Sequence, residues 1–160
     1  MPHALKRLQQ SQQTHFVTFT CYHRRPSFDT SDRYDLFVQV LEETRRRFAI
    51  CVYGFVVMPE HVHLLVSEPE RGVLADAIHC LKLTFGKRLR AGVFWQKRYY
   101  DRNVRNEQEF QEKLRYLHRN PVKRGLAEKA EEWKWSSLWT ARDREQQANG
   151  GRDRIFLNPG

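Results

Sequence analysis

Between His15 and Tyr22 (HFVTFTCY) the chain alternates with a period of two, Phe16, Thr18 and Thr20 on one side and Val17, Phe19 and Cys21 on the other. That period, in β-branched and aromatic residues, predicts a strand. From Ser31 to Ala49 the apolar positions Leu36, Phe37, Val40, Leu41 and Phe48 follow helical spacing behind the capping candidates Asp29, Thr30 and Ser31. Two short apolar runs, Cys51 to Met58 and His61 to Ser67, are separated by Pro59 and predict a pair of strands. Leu74, Ala77, Ile78, Leu81 and Phe85 mark a second helix, and Val93 to Gln96 a last short strand. A third helix is expected to begin at Asn106, with Glu109 at capping-box spacing, and to end at Asn120 before Pro121. The order predicts an α+β fold, a ferredoxin-like sandwich with an antiparallel sheet, helices on one face and the third helix appended.

Length and composition narrow the class. At 160 residues and 40% hydrophobic content, the chain fits one domain able to fold without disulfides or a structural metal. Residues 1–140 form that domain in this reading, and residues 141–160 a polar, flexible tail with an Asn149-Gly150-Gly151 turn and a terminal Ile155-Phe156-Leu157 patch. Cys21, Cys51 and Cys80 make neither a disulfide framework nor a zinc knuckle, which fits a reducing cytoplasm. No apolar leader or membrane-length apolar stretch is present, so neither export nor a membrane partner is expected. The net charge of +9 favours a polyanionic partner but equally fits scattered surface charge, so the positions of the basic residues decide.

Two constellations carry candidate chemistry. His61 and His63 lie two apart on a predicted strand, so both imidazoles point to one face and can converge on one ion, while Val62, Leu64 and Val66 face the core. The same spacing also fits a polar pair on a solvated face. On the third helix Tyr116 and Asn120, four apart, share a face distinct from the apolar stripe of Phe110, Leu114 and Leu117. An interface tyrosine and a helix-end asparagine would look alike. Basic and aromatic residues interleave through Trp95, Lys97, Arg98, Tyr99 and Tyr100 to Arg102 and Arg105, as expected where bases stack and phosphates meet cations. Trp95 and Tyr99 could instead be core residues.

The segments Phe94 to Asp101 (FWQKRYYD), Tyr116 to Leu126 (YLHRNPVKRGL) and Trp133 to Ser137 (WKWSS), preceded by Met58 to Val66 (MPEHVHLLV), together resemble the REP-associated tyrosine transposases, a branch of the single-tyrosine HUH transposases. The resemblance runs from His15 to Ser137 and leaves residues 141–160 unmatched. It implies that Tyr116 is a nucleophile, that His61 and His63 are paired metal ligands, and that Asn120 is the third. It also places Lys123 and Arg124 with the DNA-binding set.

The activity implied is a metal-dependent endonuclease and strand transferase that cuts one DNA strand, single-stranded or in a hairpin, through a 5′-phosphotyrosine. A tyrosine hydroxyl has a pKa near 10, so about one in a thousand is ionised at neutral pH and attack needs assistance. Two imidazoles and an amide oxygen leave coordination positions open, which suits Mg²⁺ or Mn²⁺ better than a closed structural zinc. Glu60, Lys113 and a metal-bound water are all candidate bases, and Glu60 could instead brace a histidine. A DNA-hairpin-binding regulator that no longer cuts is the alternative, and both a monomer and a homodimer fit.

Overall fold

The computed structural model describes residues 14–148; the Asn149-Gly150-Gly151 turn and the Ile155-Phe156-Leu157 patch lie outside the described residues. Strand β1 (Thr14–Thr20) enters the middle of a four-stranded antiparallel sheet. Helix α1 (Ser31–Phe48) follows, its first turn closed by Thr30, whose side chain accepts a hydrogen bond from Arg33 N. It stops at Ala49, which takes the left-handed conformation at φ 53°. Strands β2 (Val52–Val57) and β3 (His61–Ser67) flank the Pro59 turn as the two apolar runs predict. Helix α2 (Leu74–Leu89) buries Leu74, Ala77, Ile78, Leu81 and Phe85.

The last strand differs from expectation. β4 is Tyr100–Asn103, paired antiparallel with β1, and Trp95 makes only an isolated bridge with Cys21. The physical reason is that β4 is an edge strand with little burial, so its sequence YDRN shows no alternation, whereas the aromatic pair Phe94-Trp95 turns inward beside Phe19, Phe28 and Phe85. The resulting order β2-β3-β1-β4 is that of a ferredoxin-like sheet.

Helix α3 (Glu107–Lys123) starts at Asn106, whose Oδ1 accepts from Glu109 N at 2.9 Å. The Glu109 carboxylate reaches Arg105 N at 3.2 Å rather than closing the reciprocal arm of a capping box. The expected stop at Asn120 does not occur, and Pro121 lies inside the last turn. The missing proline N–H costs a single rung, because Arg124 N and Leu126 N still bond to Asn120 O and Pro121 O, and Pro121 is buried. Helix α4 (Ser137–Ala148) then covers the first part of the segment expected to be a flexible tail.

One core lies between the sheet and α1 with α2, where Val62, Leu64 and Val66 point. A second, smaller core lies on the opposite face between the sheet and α3, built from Phe16, Val56, Met58, Leu65, Phe110 and Leu117 among others. Gly54 makes this second contact close. A Cβ there would sit 2.6 Å from Leu114 Cδ1 and 3.5 Å from both Leu117 methyls.

Candidate active site

Strand alternation and register assemble the site. β3 turns His61 and His63 away from the main core, and β1 sets Thr20 and Thr18 directly opposite them on the same face. The two imidazoles lie 4.5 Å apart between ring centroids and both are buried. This excludes the solvated-face reading. Phe16, two residues back on β1, stacks on His63 at 5.3 Å with an interplanar angle of 22°.

The two imidazoles differ at Nδ1. His63 Nδ1 is 2.7 Å from Thr18 Oγ1, whereas His61 Nδ1 lies 3.0 Å from Glu60 Oε1, in contact but off the line of a hydrogen bond. His63 Nε2 is buried with no hydrogen-bond partner among the described residues. Burial pushes the His63 imidazole down to about 3, reinforced by His61 and Lys113. Burial also lowers His61, against the pull of Glu60. Both are therefore neutral at pH 7, the state a metal ligand requires.

Helix α3 brings the other two groups. Its apolar stripe docks on β2, which turns the face carrying Tyr116 and Asn120 over the histidines. The Tyr116 ring meets His63 edge-on at 5.4 Å and Phe16 at 6.1 Å, yet the residue remains 49% exposed. Its hydroxyl makes no hydrogen bond among the described residues. Asn120 is buried, lines the same cleft as His61 and His63, and its side-chain amide likewise has no partner among the described residues. No group of three His, Cys, Asp or Glu side chains is gathered for a metal among the described residues. The partnerless His63 nitrogen and the free Asn120 amide in one cleft fit a divalent ion with mixed N and O ligation.

Tyr116 and His63 stand where two open clefts of about 1070 and 1000 Å³ meet, sharing Thr18, Thr20 and Arg24. The first cleft contains Lys97, Arg98, Tyr99, Tyr100 and Lys113. The second is rimmed by Arg115, Arg119, Lys123 and Arg124. Arg24 reaches both from a non-glycine left-handed backbone at φ 54°.

The structure separates the remaining candidates. Trp95, partly buried, packs its ring against the main core among Phe19, Phe28, Phe37 and Phe85 and lines neither cleft at Tyr116. Tyr99 is partly buried with Lys82 Nζ 6.0 Å from its ring centroid, whereas Tyr100 is 54% exposed. Arg102 is paired with Glu109 at 2.8 Å, and Arg105 is exposed outside both clefts. Arg124 is paired with Glu60. Burial raises the Glu60 carboxyl, but Arg124 and His61 outweigh it and hold the group below the usual carboxylate range. A carboxylate held low is a poor base for Tyr116, and Glu60 lies against His61 instead. Sequence reading missed Thr18, Phe16 and Arg24. Only strand alternation put Phe16, Thr18 and Thr20 on one face, and nothing local showed that the face was the histidines' own.

Comparison with known proteins places the chain. Residues 9–120, more than half of its length, match the family described as "Transposase IS200 like". A Haemophilus influenzae protein provisionally named a REP-associated tyrosine transposase is 27% identical over 139 residues, 78% of each chain. The REP-associated tyrosine transposase of Escherichia coli is 25% identical over 126 residues, 78% of this chain and 76% of its own. Among solved structures, a REP-associated tyrosine transposase bound to a REP hairpin superposes with a TM-score of 0.74 at 22% identity, over 83% of this chain and 81% of that one, a likeness of fold. The chain belongs to the family of IS200-like transposases.

Proposed function

We propose that this transposase nicks and rejoins single DNA strands, on a hairpin or a single-stranded flank, with Tyr116 as nucleophile and a divalent ion held by His61, His63 and Asn120. The observation that carries the reading is the meeting of Tyr116, both histidines and Asn120 in one basic cleft, with a buried His63 nitrogen left without a partner. The hairpin substrate is proposed by likeness to the REP-associated relatives and from the basic lining of the clefts.

The Tyr116 Oη attacks the scissile phosphorus, the P–O3′ bond breaks, and the products are a 5′-phosphotyrosine and a free 3′-OH that takes up a proton. Mg²⁺ or Mn²⁺, when bound, supplies Lewis-acid stabilisation of charge on the phosphate. Half-exposure of Tyr116 lets its hydroxyl reach a backbone lying in the cleft, while Phe16 and His63 meet its ring on the protein side. Lys113, three residues before Tyr116 and lining the same cleft, is our candidate to stabilise negative charge on the Tyr116 oxygen. The bond energy kept in the phosphotyrosine lets an incoming 3′-OH reverse the step and release Tyr116, so joining needs no nucleotide cofactor.

The test is a nicking assay on an oligonucleotide hairpin with a single-stranded 5′ flank, both drawn from the DNA beside the gene. Cleavage is expected with Mg²⁺ or Mn²⁺, to stop on chelation, and to leave a free 3′-OH fragment. Cleavage indifferent to chelator, or a free 5′-phosphate as primary product, contradicts the mechanism.

A further inference from the structure

We propose that Arg124 is a positioning residue, working through Glu60, that holds His61 in its ligand orientation and fastens the tyrosine helix to the histidine strand. This rests on the metal reading above for its consequence, though not for its geometry. Arg124 is the C-cap residue of α3, the helix that carries Tyr116 and Asn120. Its Nη1 bonds to Glu60 Oε1, and that same oxygen lies 3.0 Å from His61 Nδ1. One carboxylate oxygen therefore links the end of α3 to the first residue of β3.

Glu60 is buried, with a side chain 11% exposed, whereas the Arg124 side chain is 44% exposed. The buried anion is compensated from one side by a cation and from the other by an imidazole. A carboxylate beside Nδ1 favours the tautomer protonated there, which leaves Nε2 as the unprotonated donor a metal needs. Remove Arg124, and the buried Glu60 carboxyl loses the guanidinium that ties it to α3, so it is free to turn away from His61 Nδ1. Membership of a basic cleft suggests another role for Arg124, direct contact with a DNA phosphate. A guanidinium committed to Glu60 is already neutralised, so it is not placed as one more free cation on the rim.

The full-length protein is tested as wild type, Arg124→Ala, Arg124→Lys and Glu60→Gln, with folding checked by circular dichroism. Three quantities are read: Mn²⁺ affinity without DNA, the His61 tautomer from long-range ¹H–¹⁵N spectra of the metal-free protein, and the affinity and salt slope for oligothymidylate. Expected for Arg124→Ala and Glu60→Gln are Mn²⁺ binding weakened about tenfold or more and a His61 tautomer shifted away from Nδ1–H. Oligothymidylate affinity and salt slope should stay near wild type for Arg124→Ala, and Arg124→Lys should restore Mn²⁺ binding in part. Overturning the proposal takes an unchanged tautomer and Mn²⁺ affinity in Arg124→Ala, together with a salt slope reduced by about one, the signature of a phosphate contact. If the wild type binds no Mn²⁺ yet the tautomer responds to Arg124→Ala, the metal reading falls and the positioning contact stands.

Discussion

At the scale of single residues, Asn120 shows how burial converts a common side chain into a candidate ligand. An asparagine near a helix end is ordinarily a solvated polar group, but here it is buried in the cleft of His61 and His63 with no partner for its amide among the described residues. Asn120→Ala is expected to weaken Mn²⁺ or Mg²⁺ binding and slow nicking, with part of the rate recovered at high metal. Titration calorimetry beside a metal-dependence curve checks this, and an inactive variant with unchanged metal affinity contradicts the ligand role. Thr18 is the corresponding support for His63: when its hydroxyl, 2.7 Å from Nδ1, accepts from Nδ1–H, Nε2 is the unprotonated nitrogen. Thr18→Val, which keeps the shape and removes the oxygen, should lower metal affinity by about tenfold or more; unchanged affinity in the same titration would dismiss the contact.

At the scale of elements, helix α3 is the part that turns a sheet with two histidines into a site, and its docking depends on Gly54. A side chain there collides with Leu114 unless the helix or the leucine moves. Gly54→Val is expected to cost about 1–3 kcal/mol, as overpacked sites do, and to cut nicking by more than the stability loss explains, because Tyr116 and Asn120 ride on the displaced helix. Urea melts and nicking rates on the same preparation separate the two effects; activity equal to wild type would mean that the leucine alone gives way. These elements also mark the limit of what was legible. Periodicity located β1 and both early helices, and the β2–β3 pair was legible as two apolar runs split by Pro59, because these strands are buried on both faces and carry no alternation. β4 was misplaced because an exposed edge strand carries no such imprint, and α3 was cut short because Pro121 is tolerated in a last turn whose later hydrogen bonds survive. Trp133 to Ser137 carry no periodic signal in the sequence and stand out only by family resemblance. They lie along the β2 edge, with Val57 N donating to Trp135 O and Trp133 Nε1 donating to Val57 O, and cover a strand that would otherwise present unpaired groups. His61, His63, Tyr116 and Asn120 could be selected by spacing and resemblance, but their convergence depends on strand register and on which sheet face α3 takes, both non-local.

At the scale of the whole molecule, charge and burial make separate predictions. With a net charge of +9 and two basic clefts meeting at Tyr116, DNA binding should weaken steeply with salt, and a flat dependence would remove the electrostatic part of the account. Stability should fall on acidification before the carboxylates titrate. Burial holds His118 down at about 4 and His63 at about 3, against about 6.5 in an unfolded chain. Folded values below unfolded ones mean that the unfolded state takes up protons first, so their contribution is complete above about pH 6.5 and is lost progressively as pH falls toward those lower values. Melting temperatures of the metal-free protein should therefore drop between pH 6.5 and 5, and drop less in His118→Gln; a level profile across that interval contradicts it. The central claim, that this transposase forms a covalent bond to DNA through one tyrosine, is tested most directly by mass spectrometry of the protein after reaction with the flanking hairpin and Mn²⁺. The account predicts a nucleotide adduct on the peptide containing Tyr116, absent with chelator and absent in Tyr116→Phe, which still binds the hairpin. An adduct on Tyr99 or Tyr100, or one that persists in Tyr116→Phe, would contradict it.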